Sequence, residues 1–148
     1  MIKDDAMDYR VAKIVERLKN EGACGLVNEA RDIRSLCQLF FNHQGEEFMK
    51  KVKMPSLAEF DELADEIDQY GIYVNRSNVD TGGKYSVGFV GSCYNEVKAA
   101  GCKQVYKVFL MHGAIVKVVA SDYAVLKIEK LTGDCVVEIE KDSTVVLL

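Results

Sequence analysis

Few residues in this chain could carry chemistry. The only histidines are His43 and His112, and the five cysteines are Cys24, Cys37, Cys93, Cys102 and Cys135. The cysteine spacing is too irregular for a zinc ribbon or a Cys-x-x-Cys redox pair, and an odd number of thiols cannot all pair within one chain. A Cys37–His43 or Cys102–His112 nucleophile and base would make a small thiol-dependent enzyme. Nothing in the sequence supplies the third orienting group or the oxyanion donors such a pair needs. His43 lies in Asn42-His43-Gln44-Gly45, which reads as the end of a helix, where an imidazolium suits the C-terminal dipole. Scattered cysteines are more simply explained as reduced, packed thiols.

Three other constellations have plain conformational explanations. Asp80-Thr81-Gly82-Gly83-Lys84 has the look of a phosphate loop, but a P-loop needs its lysine at the start of a helix, and Tyr85-Ser86-Val87 reads as strand. Glu59, Asp61, Glu62, Asp65, Glu66 and Asp68 lack the spacing of a calcium loop and read as a solvated helix face. Cys93, Cys102, His112, Asp122, Gly133 and Asp142 recur at turns. Three of these residue types bind metals, yet no compact set of four fixes a zinc geometry, and turns favour Asp and Gly for backbone reasons alone. The expectation is no catalytic residue, no metal and no cofactor.

The strongest signal is a repeat of about ten residues. Gly113-Ala114-Ile115-Val116-Lys117-Val118-Val119 matches Tyr123-Ala124-Val125-Leu126-Lys127-Ile128-Glu129, then Asp134-Cys135-Val136-Val137-Glu138-Ile139-Glu140 and Ser143-Thr144-Val145-Val146-Leu147-Leu148. Extended upstream, the register aligns Lys98, Lys107, Lys117 and Lys127, with Glu138 closing the column. Stacked strands would bring these lysines into a basic stripe able to bind an anionic polymer. The plainer reading is a lysine row that keeps a β surface soluble and discourages edge pairing. Residues 1–70 carry ten basic against fifteen acidic side chains and residues 71–148 carry nine against eight. Neither half has the positive excess that backbone-driven nucleic-acid binding requires.

The elements that must position these residues fall into two sets. Asp8 caps a helix with Val11, Ile14, Val15 and Leu18 on one face, stopped at Asn20-Glu21-Gly22. A second helix from near Asn28 presents Ile33, Leu36, Cys37 and Phe40 and ends before Gly45. Phe48, Met49 and Val52 mark a short third helix closed by Pro55. Ser56 and Glu59 form a capping box opening a fourth, with Leu57, Phe60, Leu63 and Ile67 buried and Gly71 as its left-handed stop. Strand signals begin at Ile72-Tyr73-Val74, followed by turn formers from Asn75 to Gly83 and a strand over 85–90. The fold expected is α+β: an N-terminal helical bundle in a domain over residues 1–71, then an all-β repeat domain over 72–148. A ten-residue unit fits a short β-solenoid with two strands per coil, or alternatively an antiparallel meander. The solenoid accounts better for the equivalence of positions.

An open last coil would offer unpaired backbone groups. Either Val145-Val146-Leu147-Leu148 is inserted centrally in a sheet, or its apolar end is covered by another subunit; the second alternative suggests self-association, with the chain's main partner being itself. No stretch approaches the ~20 apolar residues of a membrane span and no secretory signal follows Met1-Ile2-Lys3-Asp4-Asp5, so no membrane partner and cytoplasmic residence are expected. Met54-Pro55-Ser56-Leu57-Ala58-Glu59-Phe60, then Tyr70-Gly71-Ile72-Tyr73-Val74 and the aliphatic repeats, resemble small uncharacterised proteins associated with phages and mobile elements of gut bacteria. The resemblance covers residues 36–148 and implies a phage-related role without assigning any site residue. The functional expectation is a non-enzymatic structural or protein-interaction module.

Overall fold

The computed structural model describes residues 8–23 and 25–148. The chain divides between Tyr70 and Gly71 into two compact units.

Four α-helices build the first unit: α1 (Tyr9–Asn20), α2 (Ile33–Phe41), α3 (His43–Val52) and α4 (Leu57–Ile67). The Asp8 carboxylate accepts from Arg10 N and Val11 N and so opens α1, whose buried stripe is Val11, Ile14, Val15 and Leu18. The second helix starts later than expected. A 3₁₀ turn occupies Gly25–Glu29, and the helix begins only after Asp32, which forms a reciprocal box with Ser35. Ser56 and Glu59 form the expected box at α4. Phe40 of α2 meets Phe60 of α4 with ring centroids 5.5 Å apart.

The joint between α2 and α3 departs from the sequence reading. Asn42 closes α2 and its side chain accepts from Gln44 N, so the same residue also opens α3. His43 therefore stands at the start of a helix, not at its end, with Nε2 3.0 Å from the Glu47 carboxylate. Gly45 lies inside α3. A Cβ on it would come 2.0 Å from the carbonyl oxygen of Leu39, so glycine is required there for close approach between two helices and does not act as a stop.

The second unit contains β1 (Ile72–Val74), β2 (Ser86–Val90), β3 (Tyr94–Ala100), β4 (Tyr106–Met111), β5 (Ile115–Ser121), β6 (Val125–Lys130), β7 (Val136–Lys141) and β8 (Val146–Leu147). They form a five-stranded sheet ordered β1-β2-β4-β6-β8 and a three-stranded sheet ordered β3-β5-β7. All pairings between the described strands are parallel, which an antiparallel meander does not allow. The chain alternates between the sheets from β2 onward, so each strand lies beside the strand two positions later in sequence.

Equivalent residues then come into line. Val87, Val108 and Ile128 form one column of the larger sheet, and Val97, Val118 and Ile139 form one column of the smaller. A core between the sheets is made of such columns, including Tyr73, Phe89 and Leu110, and Tyr106 and Leu126. On the other face of the larger sheet, Ile72, Val74, Val90, Phe109 and Met111 are buried, while Lys107, Lys127 and Glu129 make the rest of that face charged. The ring of Phe109 fills the space that a Cβ at Gly88 would take, 2.3 Å away.

Corners are held by side chains. Thr132 Oγ accepts from His112 N, 2.8 Å away and 20 residues earlier in the chain, and donates to Asp134. Thr144 Oγ accepts from Tyr123 N at 3.0 Å and donates to Asp142. His112 and Tyr123 have φ of 58° and 62°, so each hydroxyl meets an N–H at a left-handed corner.

Candidate functional site

The last strands of the two sheets, β7 and β8, differ from those before them in one respect. Along the inward column Val97, Val118 and Ile139, fractional exposure runs 2%, 0% and 41%. Along Tyr106, Leu126 and Leu147 it runs 8%, 0% and 43%. Both columns continue the core, yet their last members are open at the end of the stack. Val146 and Leu148 are exposed beside them. Val145 is not: it falls in line with Ala124 and is buried. The sequence repeat matches Val145 with Val125, whereas the strands pair Val125 with Val146. β8 keeps the register already set between β5 and β7, where Ala120 pairs with Lys141, so the last unit lies one residue later than the alignment places it.

The two ends of the stack are treated differently. At the β3 end, Tyr94 N donates to Ser77 Oγ and Tyr94 O accepts from Asn78 N, each at 3.0 Å. Asn95 is fully buried; its Nδ2 donates to Arg76 O at 2.8 Å and its Oδ1 accepts from Val79 N at 2.9 Å. Further along, the Tyr106 hydroxyl bonds both Ala100 N and Ala100 O. Between these ties stand the charged residues Glu96 and Lys98, so the free edge of β3 is occupied at both ends and charged in the middle. β1 is buried along its whole length. At the other end, β7 and β8 are the outermost strands of their sheets. Val146 N and Leu148 N donate back to β6, which leaves the N–H and C=O of Leu147 on the outer edge.

The four lysines do not form one column. Lys107 and Lys127 are paired neighbours in the larger sheet, while Lys98 and Lys117 belong to the smaller. There, Lys117 stands between Glu96 and Glu138, and its Nζ is 3.4 Å from the Glu140 carboxylate. Lys98 pairs with Val119. Alternate ten-residue units lie on opposite sheets, so sequence equivalence at every unit becomes spatial equivalence only at every second one, and β3 enters two residues out of phase.

The chemical candidates are separated in the same way. Cys93 and Cys135 face inward with Ala114 between them, and Gly91, not Cys93, aligns with His112. No cluster of metal-capable side chains exists among the described residues. Asp134 and Asp142 have corner roles. The Thr132 hydroxyl bond holds the Asp134 carboxyl below the usual carboxylate range, and that of Thr144 does the same for Asp142. Asp80 caps its own turn by accepting from Gly82 N. Burial pushes the Cys37 thiol up to about 12 and raises that of Cys93. Cys37, Cys93 and Cys135 are buried, Cys102 is exposed, and Cys24 lies outside the described residues. In the folded protein at neutral pH, iodoacetamide will alkylate Cys102 well before these three, followed by peptide mass mapping. Rapid labelling of Cys37, Cys93 or Cys135 would reopen the thiol-enzyme reading.

Asn95 escaped the sequence reading. Its signal was a polar side chain where the other units of the same sheet have Val116 and Val137. No helix among the described residues is long and apolar enough to cross a membrane. Compared with protein-family models, curated proteins and solved structures, the chain matches none.

Proposed function

We propose that the chain is a non-enzymatic structural and interaction protein. Its second unit winds as a short β-solenoid that self-associates through its open last coil. The observation that carries this is the jump in exposure at Ile139 and Leu147 within columns that are otherwise sealed. Burying an aliphatic side chain of this size fully is worth about 1.5–3 kcal/mol, and both start near half exposure. Together with Val146 and Leu148 they supply a modest driving force, set against the several kcal/mol that association costs in lost freedom. A reversible complex in the micromolar range fits that balance. Its thiols suit a reducing cytoplasm, and the resemblance of residues 36–148 adds an accessory role in a phage or mobile element to the proposal.

Sedimentation tests it. The wild-type protein at tens of micromolar will sediment as an oligomer that dissociates on dilution, and Ile139→Lys with Leu147→Lys will sediment as a folded monomer. A wild-type monomer throughout that range, or a double variant that still associates, would defeat the proposal.

A further inference from the structure

The self-association just proposed leaves its geometry open, and the two ends of the stack decide it. Head-to-tail assembly would lay β7 of one copy beside β3 of the next. That edge is occupied at both ends and charged between them: Tyr94 is bonded to Ser77 and Asn78, Ala100 to the Tyr106 hydroxyl, Asn95 holds the covering loop from beneath, and Glu96 and Lys98 stand in the middle. An open end that cannot meet the opposite end can still meet another open end, which gives a closed two-fold contact and no filament.

The two outer strands are not equally suited to that contact. A two-fold axis makes each strand run antiparallel to its own copy, and directly opposed residues must then point to the same face. For β7 this permits only pairings whose residue numbers differ by an even step. Of these, the two that overlap over five residues set Glu138 against Glu138 or Glu138 against Glu140. Opposed like charges are unfavourable. β8 carries Val146 and Leu147 and no charged side chain. Opposing Leu147 to its own copy allows the two residues to exchange both N–H···O=C bonds, using the pair of groups left on the outer edge. It also carries the exposed core ends of the two copies against each other.

We infer that the partner is a second copy of this chain, bound tail to tail, with β8 joined antiparallel to β8 through Leu147 and the β7 edges facing each other across the same axis. The glutamates of β7 oppose the dimer and keep it weak.

Sedimentation and thiol cross-linking separate this from the self-association on which it rests. In a Cys24→Ser, Cys102→Ser background, the expected species is a dimer and nothing larger. Oxidation of the Leu147→Cys variant will link two copies at that position, since opposed Cα atoms in such a pair lie about 5.5 Å apart, within disulfide reach. Glu138→Gln will tighten the dimer about two- to five-fold. A concentration-dependent ladder beyond dimer, or a dimer that resists linkage at 147 and is unmoved or weakened by Glu138→Gln, overturns the tail-to-tail geometry and leaves self-association standing. A monomer under all conditions overturns both.

Discussion

Replacing Gly45 with alanine will destabilise the helical unit by about 3 kcal/mol or more, the upper end of what overpacking costs. The added Cβ would be placed 2.0 Å from the Leu39 carbonyl oxygen and 3.0 Å from its carbon. Both are backbone atoms near the end of α2, so no rotamer change relieves the overlap. The start of α3 must shift away from α2, and the Asn42 cap, whose side chain holds Gln44 N at 2.9 Å, moves with it. Alanine ordinarily favours a helix interior over glycine by nearly 1 kcal/mol, so propensity alone predicts the opposite sign. Hydrogen exchange measures the difference directly: protection of amides in α2 and α3 will fall by about two orders of magnitude. A Gly45→Ala protein as stable as the wild type would show that the two helices do not approach so closely.

That glycine marks a limit of what sequence can say. The stripes of α1 and α4 were legible because each has its cap beside its periodic apolar residues: Asp8 before Val11, Ile14, Val15 and Leu18, and Ser56 with Glu59 before Phe60, Leu63 and Ile67. Gly45 looks like a stop for want of any local sign that Leu39 is above it. Asn42 is equally silent, since one residue that ends one helix and starts another leaves no gap in the pattern. Caps and stripes are local properties, whereas the spacing between helices is set by tertiary contact.

The β unit was legible to a different depth. Ten-residue repetition gave strands of the right length in nearly the right places, and parallel stacking follows from positional equivalence. The partner of each strand was less accessible, because alternation between two sheets makes the spatial period twice the sequence period. Lys117 and Lys127 are equivalent letters on different sheets, and Lys117 finds Glu96, Glu138 and Glu140 around it in place of other lysines. The strands pair Val125 with Val146, one residue beyond the Val145 that the repeat matches with it, and that step places Val145 inside and leaves Leu147 in the exposed column. The open end was foreseen as a stretch of aliphatics, but which side chains compose it depends on register, where one step exchanges inside for outside.

Asn95→Leu is the substitution that separates packing from edge control. Leucine has the same branched, four-heavy-atom side-chain skeleton as asparagine, though bulkier, and matches the aliphatic column formed with Val116 and Val137, so judged on hydrophobicity it would stabilise the stack. It removes the donor to Arg76 O and the acceptor for Val79 N, both in the loop that covers β3. Leaving two buried backbone groups without partners would cost about 1–3 kcal/mol each, so the loop will detach and expose them to water. The net loss will be about 2 kcal/mol, seen as a lower denaturation midpoint with an unchanged dependence on denaturant. Detachment also releases the N–H and C=O of Tyr94 from Asn78 and Ser77, so exchange at the Tyr94 and Val79 amides will rise with the global loss of stability or faster. With that edge freed, β7 of one copy can reach β3 of another. Sedimentation at tens of micromolar will then show species beyond the dimer that the wild type does not form. If Asn95→Leu matches the wild type in stability and assembly, the loop at residues 76–79 is not what protects the β3 edge. The charged pair Glu96 and Lys98, on the same edge, would then be the residues that block head-to-tail growth.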